Sequence, residues 1–114
     1  MSDFNIEYTD LGQDVALIKV NGYIDAHTFE DLENEIQNRF SNRQFKIIVD
    51  LSNVPYISSA GAGVFIGAFP QAQENDGNIV LLNPSKNVLD VLDLLGLTEI
   101  FTVTKDLEAA KQAF

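Results

Sequence analysis

The sequence predicts a single α/β domain, with a mixed central sheet of about four to five strands and helices packed mainly on one side. Three observations predict it. Two β-type segments come first, joined by a turn. Beyond them, stretches of helical periodicity alternate with short β-type runs. Those later runs are apolar on both faces, as strands covered by helices are. No linker, repeat or low-complexity stretch interrupts residues 1–114, one domain's worth of chain. With 46% apolar and 21% charged residues the composition is that of a folded protein. A chain of this size buries roughly two thirds of its unfolded surface.

From Phe4 to Thr9, Phe4, Ile6 and Tyr8 alternate with polar residues, the period of a half-buried strand. Leu11-Gly12-Gln13-Asp14 forms a turn, and Val15 to Val20, apolar except at Lys19, makes an interior strand. The two pair as a hairpin. Thr28 and Asp31 fit a relaxed capping box. Phe29, Leu32, Ile36 and Phe40 then mark one stripe of an amphipathic helix, with Glu30, Asp31, Glu33, Glu35 and Arg39 outside, and Ser41 to Gln44 ends it. Phe45 to Leu51 is a third strand, with Phe45, Ile47, Val49 and Leu51 on one face and Ile48 on the other. A helix follows from Ser59 to about Asn75, closed by Asp76-Gly77; Pro70, which lacks an N–H, should kink or end it. Ile79 to Leu82 is a fourth strand. Pro84-Ser85 opens a helix with Val88, Val91, Leu92 and Leu95 inward, stopped by Gly96. Phe101 to Thr104 is a short edge strand, and Leu107 to Phe114 a last helix.

Composition excludes several kinds of chemistry. The chain has no cysteine, hence no disulfide scaffold, no Cys-ligated metal and no thiol nucleophile. A single histidine makes no His-rich metal cluster, so neither metal nor cofactor is expected. Seven basic against 17 acidic residues give a net charge of −10, which repels phosphate backbones and anionic lipid. Nucleic acid and membranes are therefore not expected partners. Met1 to Asn5 shows no basic segment leading into an apolar run, so no signal peptide is visible, and the apolar stretches fall short of a membrane span. The expected location is the cytoplasm.

The segment from Asp50 to Gly67 carries the functional signal. A strand runs into a short loop with Pro55, and then Ser58 and Ser59 open a helix. A serine there has its hydroxyl beside the free N–H groups of the first turn, so capping alone accounts for one. The rim is unusual: Tyr56 and Ile57 precede, and Ala60, Gly61, Ala62 and Gly63 follow, apolar and poor in side chains. A partner can approach such a rim closely. Gly61-x-Gly63-x-x-x-Gly67 lacks the dinucleotide-binding spacing, and its glycines lie inside the helix. Each costs about 1 kcal/mol relative to alanine there, so they need a reason. Close packing on the sheet and a smooth docking surface are both compatible with the pattern.

Three blocks together, Gly22-Tyr23-Ile24-Asp25, Ile48-Val49-Asp50-Leu51-Ser52 and the run from Tyr56 to Val64, give the chain its family resemblance. It resembles STAS domains of the bacterial anti-sigma factor antagonist type over nearly its whole length. The resemblance implies a non-enzymatic switch. In its unphosphorylated form it captures an anti-sigma factor that is also a serine kinase, which releases the sigma factor. Phosphorylation of a serine at the helix start breaks the capture, and a PP2C-type phosphatase resets it. The family pattern is Asp-Ser-Ser/Thr-Gly. With its glycine on Gly61, the phosphoacceptor falls on Ser59, the Asp on Ser58 and the next Ser/Thr on Ala60, so two positions depart and Ser58 is a second candidate. The implied partner-binding residues are Asp25, Tyr56, Ile57, Ser58, Ser59, Ala60, Gly61 and Ala62. Asp25 also reads as a turn or cap residue, and His27 as a polar helix-start residue rather than a base. A monomer or weak homodimer is expected. The alternative is a STAS scaffold or adaptor subunit of a larger signalling assembly, in which Ser59 is a helix cap or minor site. Enzymatic readings fit less well. A receiver-type acceptor at Asp50 lacks an acidic pair after the first parallel strand, and Ser58-Ser59-Ala60-Gly61 is not a hydrolase nucleophile motif.

Overall fold

The computed structural model describes residues 4–114. Five strands form one sheet: β1 (Asn5–Asp10), β2 (Val15–Asn21), β3 (Lys46–Asn53), β4 (Asn78–Leu82) and β5 (Thr102–Thr104). They lie side by side in chain order. β1 is antiparallel to β2, and each later neighbour is parallel. Four helices complete the fold: α1 (Phe29–Ser41), α2 (Ser59–Glu74), α3 (Lys86–Leu94) and α4 (Leu107–Lys111).

Strand alternation divides the apolar side chains between two cores. Ile18, Val20, Ile47, Val49, Leu51, Ile79 and Leu81 meet the inward stripes of α1, α2 and α3 on one face. Val15, Ile48, Val80 and Leu82 pack with Ala110 of α4 on the other. The parallel strands are thus apolar on both faces because helices cover both, and the larger core lies on the three-helix side. Gly77 shows how tightly α2 returns to the sheet. Its N–H reaches the Ala72 carbonyl at 2.8 Å, and a Cβ there would run into the Phe45 backbone.

Five local expectations are corrected. Thr28 makes no side-chain cap to α1. Its hydroxyl turns back, accepting the Asp25 N–H at 3.0 Å and donating to the Tyr23 carbonyl at 2.7 Å, so the capping box does not form. Of the two outcomes expected at Pro70, a kink or an end, the end does not occur, and α2 continues to Glu74. The proline lies on the exposed side, where the Ile66 carbonyl it leaves without a donor can meet water. Leu95 is 43% exposed rather than inward; Gly96 turns the chain with φ 76°, and Leu97, 2% exposed, enters the core instead. The last helix stops at Lys111, and Phe101 precedes β5 as a core residue.

Candidate partner-binding site at the start of α2

β2 and β3 separate after Asn21 and Asn53, then rejoin in one isolated parallel bridge, Ile24 opposite Ile57. Two backbone bonds make it: Ile24 N–H to the Tyr56 carbonyl at 3.1 Å, and Ser58 N–H to the Ile24 carbonyl at 2.8 Å. Both isoleucines are fully buried. In extended chain the neighbours of an inward residue point outward, so Tyr23 (56% exposed) and Tyr56 (46% exposed) stand on the surface, ring centroids 6.1 Å apart.

The chain then enters α2. Ser58, in extended conformation at ψ 170°, is the N-cap, and its Oγ accepts the Gly61 N–H at 3.1 Å. Ser59 is the first helical residue. It is exposed, and its hydroxyl makes no hydrogen bond among the described residues. The reading of Ser59 as a cap is therefore replaced: capping falls to Ser58. The N–H groups of Ser59 and Ala60 likewise have no backbone acceptor among those residues. The first turn of α2 carries no acidic residue.

The three α2 glycines divide the two reasons offered for them. A Cβ on Gly61 would lie 2.5 Å from Ile24 Cγ2 and 2.8 Å from the Ile24 carbonyl oxygen. Only glycine lets the bridge seat against the first helical turn. At Gly63 and Gly67 a Cβ would meet nothing within 4 Å. With Ser59, half-exposed Ile66 and Pro70 they form a strip along one side of α2 that is open to solvent. Close packing holds for the first glycine and an open surface for the other two.

The expected partner-binding residues separate the same way. Tyr56, Ser59 and Ala60 are exposed, and Ser58 and Asp25 are partly so. Ile57, Gly61 and Ala62 are buried beneath them and support that surface. Asp25 forms a turn: its Oδ1 accepts the His27 N–H at 2.9 Å, and its own N–H donates to the Thr28 hydroxyl oxygen at 3.0 Å. His27 enters this turn through its backbone. Sequence reasoning missed Tyr23 and Ile66 as surface, and offered an open surface for the α2 glycines without separating Gly63 and Gly67 from Gly61. The signals were present, in the alternation about Ile24 and in the helical spacing from Ser59. Among the described residues no three His, Asp or Glu side chains are grouped to hold a metal ion, and no helix is long and apolar enough to cross a membrane.

The model of the STAS domain family matches residues 9–110. The chain belongs to that family. An anti-sigma-B factor antagonist of Staphylococcus epidermidis is 30% identical to this STAS domain over 106 residues, covering 93% of this chain and 97% of the relative. The solved structure of the anti-sigma factor antagonist SpoIIAA in its unphosphorylated form superposes with a TM-score of 0.82 at 22% identity, over 96% of both chains. The phosphorylated form of the Bacillus cell fate determinant SpoIIAA gives 0.74 at 22% identity, over 96% of this chain and 100% of that one. The structural likeness establishes the fold, and the five-stranded mixed sheet with its four helices is that of a STAS domain.

Proposed function

We propose that this STAS domain is an anti-sigma factor antagonist whose capture of its partner is controlled at Ser59. In the unphosphorylated state the chain binds an anti-sigma factor that is also a serine kinase, and the sigma factor is released. The kinase transfers the γ-phosphoryl group of ATP to Ser59 Oγ, whose proton leaves to a base of the kinase. A PP2C-type phosphatase hydrolyses the ester. The chain is not an enzyme in this scheme. It supplies a hydroxyl on a rigid turn, acts in the cytoplasm, and works as a monomer or weak homodimer.

The observation that carries the reading is the division between the two serines. Ser58 Oγ is held by the Gly61 N–H, while Ser59 Oγ is exposed and free on the rim of the open strip. A phosphate adds about −1.5 to −2 charges. The unpartnered first-turn N–H groups and the absence of a first-turn acid favour an anion there, so the fold should tolerate the charge. A partner seated on the strip meets a bulky dianion instead of a small hydroxyl. A loss of about 3 kcal/mol there weakens binding roughly 150-fold.

Ser59→Asp should keep the wild-type circular dichroism spectrum and lose binding to the anti-sigma factor. Ser59→Ala should bind and become insensitive to kinase and ATP, and the modified peptide should fragment at Ser59. If association of Ser59→Ala with the kinase still fell on adding ATP, with Ser58→Ala behaving as wild type, Ser59 would not be the control point.

A further inference from the structure

Beside the serine-bearing turn, a shallow open groove runs between the Tyr23–Tyr56 pair and the outer side of α3, lined by Tyr23, Pro55, Tyr56, Asn87, Asp90 and Val91. We infer that this groove receives an arginine side chain of the anti-sigma partner, its guanidinium against the two tyrosine rings and bonded to the Asp90 carboxylate. The inference rests on the proposed function for the identity of the partner.

The chemistry of the lining selects the occupant. Two exposed tyrosine rings, tilted 60° to each other at 6.1 Å, open a wedge of π-faces toward solvent. Such faces attract cations, and a guanidinium also stacks on them. Asp90 on the opposite wall supplies a carboxylate, and the Asn87 amide oxygen can accept a further hydrogen bond. None of the six lining residues is basic, and the chain as a whole carries −10, so an anionic or purely apolar occupant is disfavoured. Asp90 is already paired with Lys86 at 3.1 Å, but the two side chains are 63% and 86% exposed. A pair so open to water is weak enough for an incoming arginine to displace. The walls are held in place before any partner arrives. The Ile24–Ile57 bridge fixes the tyrosines, and the Ser85 hydroxyl at the start of α3 donates to the Val54 carbonyl at 3.0 Å, tying that helix to the loop.

The test has two arms. In the first, the aromatic NMR signals of the three tyrosines are followed while tetra-arginine is added to the full chain. The Tyr23 and Tyr56 rings should shift saturably and Tyr8, which already stacks on Arg39, should not. Tyr23→Leu, Tyr56→Leu and Asp90→Asn, all at exposed positions and checked for folding by circular dichroism, should each weaken the peptide by about two- to fivefold. Rings that move no more than Tyr8, or variants that bind like wild type, overturn the inference whatever the partner is. In the second arm the same variants are measured against the anti-sigma factor. Wild-type capture with the groove variants several-fold weaker supports the inference, and equal capture by all overturns it. An absence of capture by the wild type falls on the proposed function alone, and the peptide arm then decides the groove.

Discussion

At the scale of single residues, Ser58 and Ser59 have the same side chain and opposite surroundings. The difference arises from the backbone: Ser58 is the last extended residue, so its Oγ curls over the first turn, whereas Ser59 is already helical and points away. Removing the cap should cost about 1 kcal/mol, the usual penalty for alanine at such a position. Urea denaturation should therefore show Ser58→Ala destabilised by about that amount and Ser59→Ala within about 0.5 kcal/mol of wild type. Equal losses at the two positions would mean that the cap is shared. Sequence alone left this division open, since both residues can cap and only the ψ of each decides. Asp25 was legible as a turn residue from its type. Thr28 was misread because its hydroxyl serves the chain behind it, a bend that depends on where Tyr23 must stand.

At the scale of elements, α2 carries most of the proposed partner surface and most of the surprises. Gly61→Ala should destabilise the protein, because the added methyl meets both the side chain and the carbonyl of Ile24. Gly63→Ala and Gly67→Ala should each stabilise it by about 0.5–1 kcal/mol, since the methyl meets nothing and alanine is the better helix former. Thermal melts of the three variants check the signs. A stabilised Gly63→Ala protein that binds its partner less well would place that position under the interface. The order of strands and helices was legible because apolar periodicity reports it directly, down to the two faces of β3. The run of α2 past Pro70 was not. It turns on which side of the helix faces water, and a helix apolar nearly all round does not declare its exposed side.

At the scale of the whole molecule, acidic residues outnumber basic ones 17 to 7, and the three described ion pairs, Glu35–Arg39, Lys86–Asp90 and Glu108–Lys111, each lie within one helix. Among the described residues no salt bridge ties one element to another. Self-repulsion should outweigh those pairs, so raising sodium chloride from low levels to about 0.5 M should raise the melting temperature. A falling melting temperature would show that local pairs dominate. The same general charge should speed encounter with a basic partner at low salt without fixing its pose. In the proposed complex the pose would rest on the Ile24–Ile57 rung, and the rung constrains something that no substitution scan explores. One residue inserted between Asn21 and Ile24, or between Asn53 and Ile57, would slip the pairing by a position and exchange inside for outside. The tyrosine of that crossing would be driven toward the core and its isoleucine left in water. These two short crossings should accept many changes of side chain and no change of length.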